Sequence, residues 1–471
     1  MVLALFLLAH ALGLATSLAA LMSTRTAQGT LAWILALNAL PWIAVPLYWV
    51  LGRRRFEGYL VSRRDEDSRL RKTLAEKMRE IHPYRVSLPE ERGGIRAVEA
   101  LAALPVLAGN EVELLIDGEA IFESFYQGIE AARDYILVQF YIVKDDQVGR
   151  ELRDRLAARA RDGVRVLFLY DEVGSHGLPD SWGWDLVAAG GQVHRFHSTK
   201  GPGNRFQLNF RNHRKVMVVD GIQGWVGGIN LGDEYLGRDP KLGELRETHL
   251  RIAGPSVLSL QLSFLEDWNW ATDQLPELRW EPEPAPSGSD VPVLILPSGP
   301  ADPMETGSLM VQHAIHMAAH RIWISTPYFV PDGGVMAALR LAALRGVDVR
   351  ILIPDKPDHL LVGLAGFSYL GGLLEAGVRF FRYEAGFLHA KTMLLDDAAS
   401  SVGTMNVDNR SLRLNFEITA LVLDPDFAEA TEAMFEEDFA RSRPMTLEEV
   451  EEAPFWYRAA SRGASLFSPI L

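Results

Sequence analysis

The 471-residue sequence contains no cysteine. Disulfides, zinc–thiolate sites, iron–sulfur clusters and thiol nucleophiles are therefore excluded. Positive charge is also short: 47 lysines and arginines stand against 61 aspartates and glutamates, a formal net charge of −14 at pH 7. That balance argues against a protein that gathers nucleic acid at long range on a basic face. An anionic ligand would have to be held locally.

Two stretches near the N-terminus, residues 2–22 and 31–51, lack formal charge altogether. Each is long enough to cross a bilayer as a helix of about 20 residues. The connector between them holds Arg25, whereas Arg53, Arg54 and Arg55, soon joined by Arg63 and Arg64, follow the second stretch. By the positive-inside rule the bulk of the chain then lies on the cytoplasmic side. A cleaved signal peptide is the competing reading of the first stretch, but it lacks a basic n-region and a second apolar stretch follows at once. The expectation is a two-helix transmembrane hairpin at residues 1–52. His10, Asn38, Pro41 and Pro46 inside it read as tolerated helix residues rather than functional ones.

Residues 53–111 form a connector. Leu70, Leu74, Met78 and Ile81 recur there at helical spacing within a charge-rich stretch, which suggests an amphipathic helix near the membrane or against the next domain. From Val112 onward short apolar runs alternate with segments of helical periodicity, the pattern of an α/β fold with a mostly parallel sheet. The pattern runs through residues 112–271, breaks at a proline- and acid-rich linker over 272–292, and is repeated over 293–471.

Each repeat contains the same motif. NHRKVMVVDGIQGWVGGIN begins at Asn212 and FLHAKTMLLDDAASSVGTMN at Phe387, and both spell H-x-K-x4-D-x6-G-x-x-N. The first places His213, Lys215, Asp220, Gly227 and Asn230; the second places His389, Lys391, Asp396, Gly403 and Asn406. KVMVVD and KTMLLD read as buried strands, and residues two apart on a strand share a face, so each histidine stands beside its lysine. If the halves pack about a pseudo-twofold axis, one pocket gathers two imidazoles, two ammonium groups and two carboxamides.

Such a pocket suits a phosphodiester. Attack on phosphorus builds negative charge on the non-bridging oxygens, where lysine and asparagine donors stabilise it. One neutral imidazole can attack while the other, protonated, hands its proton to the departing alcohol, after which the second removes a proton from an incoming hydroxyl. Each ring also needs a carboxylate to fix its tautomer, and Glu247 and Glu417, comparably placed after the two motifs, are the candidates. Asp220 and Asp396 complete the motif and are counted with the catalytic set, although the simpler reading is that they fix strand–turn geometry rather than touch substrate. A lysine beside each histidine opposes a bound cation, so no metal is expected. Trp268 and Trp270 could grip acyl chains but read more simply as core.

The duplicated motif resembles the signature of the phospholipase D superfamily. More narrowly, NHRKVMVVDG with GGINLGDEY, TPYFVPD, GFLHAKTMLLDD with SVGTMNVDNRSLRLNFE, and the terminal FSPIL are similar to the bacterial cardiolipin synthases of that superfamily. The likeness runs from about Val112 to Leu471, and the N-terminal apolar pair fits it too. Gly228 and Thr404 depart from the pattern, occupying a position where serine is common. The resemblance implies two phospholipase D-like α/β/α domains and a phosphatidyl transfer in which one phosphatidylglycerol loses glycerol and a second accepts the phosphatidyl group, giving cardiolipin. It further implies His213 as nucleophile, His389 as acid and base, no cofactor, no nucleic-acid partner, and a place in the bacterial cytoplasmic membrane with the catalytic domains on the cytoplasmic side. A hydrolase releasing phosphatidic acid, a superfamily nuclease and a non-enzymatic scaffold are the alternatives. The nuclease is opposed by the acidic balance and the apolar pair, and the scaffold by the presence of both histidines and both lysines.

Overall fold

The computed structural model describes residues 1–23, 26–52, 79, 81–86, 93–197 and 209–471. Arg53 to Arg55, Arg63, Arg64 and the expected amphipathic positions Leu70, Leu74 and Met78 lie outside the described residues.

Val2–Ser23 forms one uninterrupted apolar helix of 22 residues, and among the described residues it is the helix long and apolar enough to cross a membrane. The second apolar stretch is not one helix. It starts early, at Ala27–Ala39, where the Thr26 hydroxyl accepts from the Gly29 N–H at 3.0 Å, and it breaks at Leu40. Pro41 begins a further helix, Pro41–Leu47, that runs into Tyr48–Gly52. The cause is local: Pro41 has no N–H to donate, and its ring drives Leu40 out of the helical region, to φ −137° and ψ 58°. These pieces nonetheless pack back on the first helix, with Ala20, Leu37, Ala44 and Tyr48 buried together. Asn38 donates to the Ser17 hydroxyl at 2.9 Å, which satisfies its amide within the helix pair.

The rest is built on a sheet whose two halves follow one plan. In the first half the neighbouring strands run in the order Leu107–Ile116, Thr248–Ala253, Gln223–Gly227, Val216–Val219, Tyr135–Phe140, Arg165–Asp171, Gln192–Phe196. The second half gives Val291–Ser298, Asn415–Val422, Ala399–Gly403, Thr392–Leu395, Arg321–Ser325, Asp348–Pro354, Arg379–Tyr383, with Ser442–Pro444 added at its edge. Position by position the orders coincide, as duplication requires. Along this strand path, parallel pairing is confined to the outer strands of each half, and the motif strands pair antiparallel with their neighbours because tight turns join each to the next. The expected mostly parallel sheet is thereby corrected to a mostly antiparallel one.

The halves join through antiparallel pairing of Leu107–Ile116 with Val291–Ser298, in register at Leu107 with Val293 and at Asn110 with Val291. That strand starts at Leu107, ahead of the expected Val112, and Gly109, at φ +78°, supplies the left-handed residue at its irregularity. The preceding helix, Gly93–Ala102, lies within the expected connector but buries Val98 and Ala102 in the core of the second half. A separate cluster unites Val226, Leu250 and Ile252 of the first half with Val402, Phe416 and Ile418 of the second. Trp268 and Trp270 belong to this core, so the acyl-gripping reading is withdrawn for them. In the second half a helix runs over Leu360–Leu374.

Candidate active site

Each motif histidine is fixed from the opposite half of the chain. Arg211–Asn212 runs parallel to the start of the strand Asn415–Val422, and the His213 N–H donates to the Phe416 carbonyl at 2.9 Å. Phe387–Leu388 likewise runs parallel to Leu245–Arg246, and the His389 N–H donates to the Arg246 carbonyl at 2.8 Å. The residue after each acceptor is a glutamate. Backbone register thus carries Glu417 to His213 and Glu247 to His389, with Nδ1 to carboxylate distances of 2.9 Å and 2.5 Å. An ionised carboxylate accepts, so each Nδ1 donates and each ring keeps Nε2 for chemistry. Sequence reasoning named both glutamates but not this crossing.

The lysines lie two residues on. Lys215 Nζ donates to the His213 carbonyl at 2.7 Å and sits 5.3 Å from the centre of the Tyr141 ring. Lys391 Nζ approaches His389 Nδ1 to 2.8 Å and Glu247 Oε2 to 3.8 Å, and it also bonds the His389 carbonyl. Tyr141 meets the His213 ring edge-on at 4.7 Å between centroids, and Tyr235 meets His389 at 5.7 Å. These tyrosines were given no role from the sequence, although Tyr235 stands only five residues after Asn230.

The two glutamates are held differently. Thr404 donates its hydroxyl to Glu417 Oε2 at 2.5 Å, and Asn415 donates to Oε1 at 3.1 Å. Glu247 instead receives the Thr248 N–H at 2.9 Å. A side chain at Gly228, the counterpart of Thr404, would place its Cβ 2.3 Å from Glu247 Oε1. The departure from serine at that position therefore has a steric meaning: the Glu247 carboxylate lies where the side chain would be.

Lys215, Glu247 and Glu417 are fully buried and the two histidines nearly so. Burial drives the His213 pKa down to about 4, against the pull of Glu417, and it lowers His389 as well, with Lys391 adding to the effect. Burial takes Lys391 down to about 8 and Lys215 well below the usual lysine range. It also opposes ionisation of the glutamates, but His389 and Lys391 outweigh it at Glu247, and His213 and Lys215 at Glu417, so both stay below the ordinary carboxylate range. Lys391 contributes to the depression of His213 and Lys215 to that of His389, so the two motifs share one field. Four groups that could carry positive charge face two carboxylates in a dry site. An incoming anion would raise the proton affinity of all four.

Other motif residues do different work. Asp220 is not among the groups facing the pocket: it lies beyond the far end of the strand Val216–Val219 from His213, and its carboxylate accepts from the N–H groups of Arg133, Asp134 and Tyr135, each at 2.8 Å. Asp396 accepts in the same way from Ala319, His320 and Arg321 at 2.8–3.0 Å. Both adopt positive φ, 54° and 48°, at the turn they fix. Counting them as catalytic is therefore corrected; they tie each motif strand to its neighbour. Asn230 donates to the Tyr235 hydroxyl at 2.7 Å and accepts from the Ile142 N–H at 3.1 Å, so it positions Tyr235. Asn406 donates to Asp408 at 3.2 Å, and its buried side-chain oxygen has no hydrogen-bond partner among the described residues. Among the described residues no cluster of three or more histidines and carboxylates is placed to hold a metal ion.

Comparison with known proteins places this arrangement. The family model described as cardiolipin synthase, PLD-like domain, matches residues 311–439. A cardiolipin synthase A of Pseudomonas putida is 47% identical over 469 residues, covering 98% of this chain and 97% of the relative. A cardiolipin synthase A of Pseudomonas fluorescens is 46% identical over 472 residues, with 99% and 98% covered. Among solved structures, phosphatidylserine synthase of Haemophilus influenzae superposes with a TM-score of 0.59 over 80% of this chain and 100% of its own, at 16% identity, a likeness of fold.

Proposed function

The chain belongs to the cardiolipin synthase family of phospholipase D-like enzymes, and from that premise we propose how its two motifs divide the chemistry of phosphatidyl transfer. The donor is phosphatidylglycerol. His213 Nε2 attacks its phosphorus, the bond from phosphorus to the glycerol headgroup breaks, and His389 Nε2 gives its proton to the departing glycerol oxygen. A phosphatidyl-His213 intermediate remains. The terminal hydroxyl of a second phosphatidylglycerol then loses its proton to His389, its oxygen attacks phosphorus, the phosphorus–nitrogen bond breaks, and cardiolipin leaves with His213 restored. Bond exchange between two alcohols of a phosphodiester is close to balanced and needs no outside energy source.

The observation that carries this reading is the crossed pairing of histidine and glutamate. Each Nδ1 is engaged by a buried carboxylate, which orients Nε2 and stabilises the imidazolium that forms in each half-reaction. With its pKa near 4, His213 is a neutral imidazole throughout the neutral range, the form a nucleophile requires. Lys215 and Lys391 recover full charge when the phosphodiester arrives and hold the oxygens on which charge develops. The N-terminal apolar helix supports a membrane association that keeps enzyme and both lipids in one thin layer, which favours a lipid alcohol over water as acceptor. The basic run after residue 52 supports a cytoplasmic placement of the catalytic halves.

Product analysis tests the reading. Purified protein given only phosphatidylglycerol should yield cardiolipin and glycerol, and His213→Ala or His389→Ala should abolish both. Phosphatidic acid as the sole lipid product would make water the acceptor and the protein a hydrolase. Turnover retained in either variant would remove the two-histidine mechanism.

A further inference from the structure

Large apolar side chains stand in solvent on one pair of helices beside the site. The helix Leu360–Leu374 packs against Phe455–Ser465 through the Phe367 and Tyr457 rings, 4.8 Å between centroids, and through a small cluster of Val330, Ala365 and Ala464. Tyr369 adds a 2.7 Å hydrogen bond to the Ser468 hydroxyl. Tyr457, Ser461 and Ala464 thus form the inner face of the second helix. Its outer side is left with Phe455 at 80% exposure, Trp456 at 68% and, just past its end, Leu466 at 80% and Phe467 at 52%; Leu360, at 73%, opens the first helix.

The same outer side carries Arg458 and Arg462, both exposed and forming no ion pair with the described residues. At 3.6 residues per turn, Phe455, Arg462 and Leu466 lie along one line, with Arg458 beside it. Aromatic and leucine side chains interleaved with arginines make an interfacial helix, the apolar groups entering the acyl boundary and the guanidinium groups reaching back to anionic headgroups. Arg458 and Arg462 give this outer side local positive charge on a chain of net charge −14, which suits an anionic partner.

The position fits a lipid surface better than a protein. Leu360 follows Asp358 and His359 directly; Asp358 accepts from the Tyr328 hydroxyl at 2.7 Å and adds to the field felt by Lys391. The C-terminal end of the patch is tied to the other side of the site, because Arg410 donates to the Ile470 carbonyl at 2.7 Å and to Asn209 at 2.8 Å, and it bears on Tyr141. We infer that Leu360, Phe455, Trp456, Leu466 and Phe467, with Arg458 and Arg462, form a second membrane contact that docks the pocket rim on an anionic lipid surface, separately from the N-terminal helix. Lipid substrates then reach the histidines along the bilayer without crossing water.

The absence of cysteine makes the test clean, since one introduced cysteine takes one label. Full-length Trp456→Cys and Leu466→Cys, each carrying a nitroxide, are reconstituted in phosphatidylcholine bilayers containing phosphatidylglycerol. Leu344→Cys, 72% exposed at the far end of another helix, is the reference. Labels at 456 and 466 should relax with dissolved oxygen and be shielded from a water-soluble nickel chelate, while the label at 344 shows the reverse. Equal nickel access at all three positions would overturn the proposal. Shielding that persists in detergent without a bilayer would also overturn it, by revealing contact with a second copy or another protein. Depth is read without turnover, so the outcome is independent of the transfer chemistry. Phe455→Ser with Trp456→Ser should in addition raise KM for bilayer phosphatidylglycerol by about tenfold while leaving turnover of detergent-dispersed lipid unchanged.

Discussion

Glu417 lies 204 positions beyond His213 and still fixes its ring, pulling against the burial that lowers the imidazole. The site is dry enough that burial lowers all four basic groups, and it takes Lys391 down to about 8. On rising pH, kcat/KM should fall first as His389, lowered by burial, gives up the proton it must donate, and again through about 8 as Lys391 loses its charge, while the acid limb follows protonation of His213, about 4 in the free enzyme. The check is kcat/KM against pH for the wild type and Lys391→Arg. Arginine keeps its charge, so the inflection near 8 should disappear; one that stays in place would assign it to another group. Lys391→Ala should lower turnover by about 100-fold to 1,000-fold at neutral pH. Gly228 offers a second residue-scale test. Gly228→Thr copies the second motif into the first, but its Cβ would meet Glu247 at 2.3 Å. Turnover should drop by about tenfold or more as Glu247 leaves His389, whereas unchanged kinetics would show that Glu247 has room to shift.

At the scale of elements, the motif strands are anchored by backbone pairing and by the turn aspartates. Asp396→Ala should cost about 1–3 kcal/mol by removing one acceptor from three N–H groups, and Asp396→Asn less, because asparagine tolerates the left-handed backbone there. Thermal melting with kcat per folded molecule separates the roles: a loss of kcat out of proportion to stability would return Asp396 to the chemistry. The fixed spacing of the motif made the histidine–lysine pairs legible in the sequence, although the strands expected to carry them start only after each lysine, at Val216 and Thr392. The crossing of Glu247 and Glu417 was not, since it depends on two-residue parallel pairings between distant segments. The turn role of the aspartates was legible, but counting them with the catalytic set was not warranted: a motif letter reports that a residue matters, and their hydrogen bonds go to backbone outside the motif. The second apolar stretch had the composition of a span, but Pro41 breaks the helix where composition alone saw continuity.

Across the whole molecule, the two halves share one strand order and one sheet, and each completes the other's histidine. Duplication and the α/β alternation announced that plan in the sequence, whereas the packing of Gly93–Ala102 on the second half did not show in its composition. The arrangement means that a change in the second half, Glu417→Gln, should impair the covalent step on His213 in the first. The most direct measurement is rapid-quench mass spectrometry of peptides from the reconstituted enzyme turning over phosphatidylglycerol, with Glu417→Gln alongside. The mechanism requires a phosphatidyl group on the peptide bearing His213, none on that bearing His389, and slower accumulation in the variant. A phosphatidyl group found only at His389, or cardiolipin formed with neither histidine modified at any time point, would contradict it.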